Sequence, residues 1–104
     1  MIKIKKKDGI IYMVLSSEST MVDVEEDTDR VRTLLSGGGR FKKIIIDADK
    51  VERIDTAYLQ LLLSTAASAD ETDMEFILKQ GSLAVQQLLK LYGLSLNARV
   101  GGDV

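Results

Sequence analysis

The sequence predicts a layered α/β domain, a mixed β-sheet with helices packed on it in the order ββαβαβα, with a last short strand over Leu94 to Val100 left open. Three observations predict it. Phe41 to Asp47 (FKKIIID) is a β-branched apolar run of strand length without clean alternation, the pattern of a strand covered on both faces. Asp55-Thr56 then opens a helical segment, Ala57 to Ala69, stopping at Asp70. A strand that feeds a helix through a tight polar loop is half of a βαβ unit. Near the start, Asp8-Gly9 is a strong hairpin signal between two short apolar runs.

In chain order, Ile2 to Lys6 alternates apolar and basic residues, and Ile10 to Leu15 is the return strand. Lys3, Lys5, Lys6 and Lys7 read as guards of a sheet edge or solvent face. Ser16 to Thr20 is a polar loop. Asp23, with Glu26 three residues on, reads as the N-cap of a helix whose Val24, Thr28, Val31 and Leu35 share a face. Glu25, Glu26, Asp27 and Asp29 read as a solvated face matched to the helix dipole. Ser36-Gly37-Gly38-Gly39 follows a helix and precedes a strand, the wrong order for a phosphate loop, and reads as a linker. Met74 to Lys79 is a further strand. Ser82 caps a helix over Leu83 to Tyr92 with Val85, Leu88, Leu89 and Tyr92 on one face and Gly93 after it. At 104 residues one domain, 1–104, is expected, with residues 1–16 as an N-terminal hairpin and 101–104 as a frayed tail.

Composition narrows the function. The chain has no Cys, His or Pro. That removes thiolate chemistry, the usual general base and the commonest transition-metal ligand, so neither an enzyme nor a bound cofactor is expected. Net charge is −2 with no basic stripe interleaved with aromatics, which argues against nucleic-acid binding. No apolar run approaches the roughly 20 residues of a membrane span, so no direct membrane insertion is expected and a soluble, cytoplasmic, bacterial-type protein fits. Asp47, Asp49 and Asp55 cluster around the strand end and loop, and read as turn-making and helix-capping residues rather than as a metal or acid–base site.

The segment from Thr56 to Ala69 holds no charged residue. On a wheel of about 100° per residue, Tyr58, Leu59, Leu62, Leu63, Ala66 and Ala69 form an apolar arc. Thr56, Gln60, Ser64 and Ser68 lie opposite, interleaved with Ala57, Leu61 and Ala67. A solvated helix face normally carries charge, so this neutral face is either a docking surface for another protein or is covered by the same chain.

Two segments carry a family resemblance. Val51-Glu52-Arg53-Ile54-Asp55-Thr56-Ala57-Tyr58-Leu59-Gln60-Leu61-Leu62 and Ala84-Val85-Gln86-Gln87-Leu88-Leu89-Lys90-Leu91-Tyr92-Gly93-Leu94 resemble the STAS domain, named for sulfate transporters and anti-sigma factor antagonists. The resemblance spans roughly Ile10 to Leu96 and is closest to small stand-alone signalling members. It implies phosphorylation at Thr56 by a partner kinase or anti-sigma factor of the GHKL ATPase type, or a chemotaxis-type kinase, with Asp55 as flanking acid. It implies partner contacts through Asp55, Thr56, Ala57, Gln60, Leu61 and Ser64. The alternative it carries is a constitutive subunit of a bacterial lipid-transport ABC complex, clamping its ABC ATPase through the same face without modification. The chain departs from the family pattern at Tyr58, where a Gly is usual, and at Ser17-Glu18-Ser19-Thr20, a loose match to Gly-Glu-Leu-(Asp/Thr). A homodimer through the basic edge strand stays open.

Overall fold

The computed structural model describes residues 2–37, 41–79 and 82–91. The chain begins with the hairpin. Asp8 and Gly9 both take positive φ, 54° and 77°, the conformation that turns β1 (Lys3–Lys7) tightly back into β2 (Ile10–Val14). β3 is the two-residue Glu18–Ser19, followed by helix α1 (Met21–Ser36). β4 (Lys43–Asp47), the short β5 (Arg53–Ile54) and helix α2 (Thr56–Glu71) come next, then β6 (Glu75–Lys79) and helix α3 (Leu83–Leu91).

The main sheet has strand order β1-β2-β4-β6, antiparallel at β1–β2 and parallel from there on. Register sets Ile11, Ile44 and Phe76 in one row and Met13, Ile46 and Leu78 in the next, all buried. Val31 of α1, Tyr58, Leu62, Ala66 and Ala69 of α2, and Val85 of α3 join them in one core. Ser82 Oγ accepts from the Val85 amide at 3.4 Å, so the expected cap of α3 is present; Leu88 and Leu89 are half-buried beside Val85. Tyr92, Gly93, the open strand over Leu94 to Val100, Gly38, Gly39 and the 101–104 tail lie outside the described residues.

Four expectations are corrected. The central strand starts at Lys43 rather than Phe41, and its two faces differ: Ile44 and Ile46 are buried while Ile45 is half-buried, because among the described residues the core forms on one side of the sheet. The polar loop Ser16 to Thr20 contains β3, which pairs in parallel with β5, Glu18 opposite Arg53 and Ser19 opposite Ile54. Two-residue strands leave no periodicity to read. The N-cap of α1 is Thr20, not Asp23, which sits inside the first turn.

The fourth correction is Asp27, which is not solvated but fully buried. Its Oδ1 accepts from the Ile2 amide at 3.2 Å and its Oδ2 from the Tyr58 hydroxyl at 2.7 Å. The Arg30 guanidinium, one turn further along α1, donates to the Ile2 carbonyl. One carboxylate thus ties the start of the chain, α1 and α2 together, and a buried carboxylate needs such donors to offset desolvation. Burial, then the hydrogen bond to Asp27, pushes the Tyr58 phenol far above its ordinary range. The phenol therefore stays protonated and donating in the folded chain. Because the unfolded chain releases this proton near pH 10, stability falls as pH rises beyond about 10. Tyr58→Phe is expected to cost about 1–3 kcal/mol at neutral pH by leaving Asp27 short of a donor, and to flatten this alkaline loss. Urea unfolding of both chains at neutral and alkaline pH checks it; an equally steep alkaline loss in the variant would refute the assignment.

Candidate functional site

The site is built where β3 and β5 run side by side. The Ser17 carbonyl accepts from the amides of Glu52, at 2.7 Å, and Arg53, at 3.0 Å, which clamps the two incoming loops together. With Ser19 opposite Ile54, the next residues of each chain segment, Thr20-Met21 and Asp55-Thr56, emerge together. Both are helix starts. Asp55 is the N-cap of α2, and its Oδ1 accepts from the Tyr58 amide at 3.0 Å. Its Oδ2 accepts from the Met21 amide, the first residue of α1, at 2.7 Å. The first amides of a helix lack intrahelical partners, so one carboxylate satisfies an orphan donor at each helix and offsets the positive ends of two dipoles.

From this shared origin α1 and α2 run side by side. A groove of about 680 Å³ lies between them. Its α1 wall includes Val24, Thr28, Val31 and Leu35, the face read from spacing, together with Arg32; its α2 wall includes Ala57, Gln60, Leu61, Ser64 and Ser68, with Glu71 at the end of the helix. Thr56 is exposed at the first position of α2, and Gln60 and Ser64 are exposed along it, with Asp55 and Ala57 half-buried. The predicted neutral face is therefore open. Leu61 departs from the expectation of an exposed contact: it is 7% exposed and belongs to the core, where it forms the floor of the groove toward α1. Leu63, placed in the buried arc by the wheel, is only half-buried, and Thr65 is buried instead, its hydroxyl donating to the Leu61 carbonyl at 2.8 Å. The buried arc is rotated toward α1, a neighbour the wheel of one helix does not contain.

Tyr58 stands where the resembled motif has Gly. Its ring is fully buried and points away from the surface around Thr56, so it does not obstruct approach there. Asp47 Oδ1 accepts from the Asp49 amide at 3.0 Å, the turn-making role read for this pair. Sequence reasoning missed Met21, 70% exposed and bonded through its amide to Asp55, and Val22 after it, 85% exposed, because placing the cap at Asp23 left them outside the helix. Among the described residues no three carboxylates converge as a metal site, and no helix is long and apolar enough to cross a membrane.

The mixed sheet with helices packed on it is a fold shared with solved anti-sigma factor antagonists. The chain superposes on the anti-sigma factor antagonist SpoIIAA in its unphosphorylated form with a TM-score of 0.79, at 18% identity, covering 90% of this chain and 82% of that one. The Bacillus cell fate determinant SpoIIAA in the phosphorylated form gives 0.75, at 17% identity, over 90% and 85%. A sulfate transporter family protein from Wolinella succinogenes gives 0.68, at 17% identity, over 86% and 70%. The family model described as Mlab, STAS domain, matches residues 3–96, and the chain belongs to that family. No curated protein sequence matches it significantly.

Replacing Asp55 by Asn presents an N–H₂ to one of the two amides that now find an oxygen. Asp55→Asn is expected to lower stability by about 1–3 kcal/mol in urea unfolding, more than the usual effect of an exposed Asp-to-Asn change.

Proposed function

We propose that the chain is a non-enzymatic signalling module whose groove face binds a GHKL-type kinase or anti-sigma factor and is released by phosphorylation of Thr56. The observation that carries this reading is the exposed, uncharged line Thr56, Gln60 and Ser64 beside an apolar groove, beginning at a helix start already held by Asp55. The existence of the structural neighbour SpoIIAA in unphosphorylated and phosphorylated forms supports it.

In this mechanism the partner kinase transfers the γ-phosphoryl group of ATP to Thr56 Oγ, releasing ADP and the hydroxyl proton. The chain supplies the acceptor and its placement, and no catalysis. A phosphate adds about −1.5 to −2 charges. A helix N-terminus tolerates an anion, so the fold survives. The cost falls on the interface, where a partner fitted to a neutral face meets a new charge beside Asp55 that must be desolvated or repelled. A loss of about 3 kcal/mol there weakens binding roughly a hundredfold.

Thr56→Glu is expected to abolish partner binding, measured by pull-down and calorimetry, with an unchanged unfolding transition. Unchanged affinity for the partner would overturn the reading. The family description Mlab and the transporter-family neighbour favour a second reading, a constitutive subunit clamping the ATPase of a lipid-transport ABC complex through the same face. Mass spectrometry of the protein from its own cells separates the two: phosphate on Thr56 supports the switch, and its absence under every growth condition supports the subunit.

A further inference from the structure

The face of the sheet turned away from the core carries its own pattern. Register places Lys5, Tyr12, Ile45 and Ile77 in a central row. Lys3, Val14, Asp47 and Lys79 form the row on one side of it, and Lys7, Ile10, Lys43 and Glu75 the row on the other. Tyr12 is 39% exposed, and Ile10, Val14, Ile45 and Ile77 are half-buried, an apolar strip that no described element covers. Lys3, Lys5 and Lys7 on one edge strand and Lys79 on the other are exposed around it. Lys43 is paired with Glu75 at 3.6 Å, so among the described residues Asp47 is the one carboxylate on this face set against those four lysines.

The chain as a whole is net acidic, so the excess of carboxylates lies elsewhere. Asp23, Glu25 and Glu26 are on α1, and Asp70 and Glu71 close α2. Protection of edge strands accounts for the lysines on β1 and for Lys79 on β6, but not for the apolar strip that lies between them. A second copy pairing face to face would bring the two sets of lysines together. A flat apolar strip with an aromatic hydroxyl at its centre and ammonium groups at its margin matches an anionic bilayer surface: lysine stems lie along the apolar atoms with their heads at phosphates, and the tyrosine spans the headgroup boundary.

We infer that this face rests on anionic phospholipid membranes as a peripheral contact, leaving the groove between α1 and α2 turned to the other side and free for a protein partner. The test is sedimentation of the full chain with phosphatidylcholine vesicles containing about one-third phosphatidylserine, against pure phosphatidylcholine vesicles. Binding only to the anionic vesicles is expected, with release at about 1 M salt, where the screening length is about 3 Å. Lys3→Glu, Lys5→Glu and Lys7→Glu together are expected to weaken binding about tenfold or more, and Tyr12→Ser to weaken it without altering its salt dependence. If charge reversal disturbs the pairing of β1, the Lys→Gln versions at the same positions are used and a smaller loss in the same direction is expected. Equal binding to both vesicle types, binding to neither, or indifference to the lysine changes would overturn the inference. So would a chain that ignores vesicles and captures polyglutamate through the same lysines, which would assign the face to an acidic protein.

Discussion

The structure around the site depends on one carboxylate with two jobs. Asp55 accepts from the Tyr58 amide through one oxygen and from the Met21 amide through the other. Each helix alone would start with orphan amides seeking water or a chance side chain. Here a single side chain fixes where both begin. Everything built on them follows: the spacing of α1 from α2, the groove between them, and the outward position of Thr56. The pairing of β3 with β5 exists at this point for a mechanical reason, since the backbone clamp at Ser17 is what brings residues so far apart in sequence within reach of one carboxylate.

A second carboxylate closes the same assembly from below. Asp27 takes the Tyr58 hydroxyl and the Ile2 amide inside the core, so α1, α2 and the start of the chain are joined by polar contacts at a side chain with no solvent exposure. Breaking such a network is costly because each remaining partner is left buried and unsatisfied. The exposed end of α2 therefore sits on a rigid base, pinned at Asp55 on the surface and at Tyr58 beneath. That is the arrangement a charge-operated contact requires. If the helix start were loose, an added charge would be relieved by local fraying; on a fixed start it must be felt by whatever is bound outside.

Much of this was legible in the residues, and the gaps have physical reasons. The hairpin could be read at Asp8-Gly9 because only that chemistry suits two positive φ angles in succession. The cap at Asp55 and the neutral stretch after it could be read because helix starts have strong local preferences. Asp27 was hidden among four neighbouring acids, although its position three residues after Val24 and four before Val31 places it on the inward face of α1. Its partners, Ile2 and Tyr58, lie 25 and 31 residues away, and no local pattern reports such a distance. Leu61 was misplaced for the same reason: which side of α2 is buried depends on α1, and that neighbour is brought in by contacts distant in sequence, the two-residue β3–β5 pairing and the Asp27–Tyr58 bond. The open face of the sheet was likewise invisible, since Ile44-Ile45-Ile46 reads the same whether one side or both are covered.

The shared cap can be tested by amide hydrogen exchange in an Asp55→Ala chain. If one carboxylate holds both helix starts, the amides of Met21 and Tyr58 lose protection together, although they are 37 positions apart in the sequence, while the strand amides of β2 and β4 keep theirs. Loss confined to Tyr58, with Met21 as protected as before, would contradict the account.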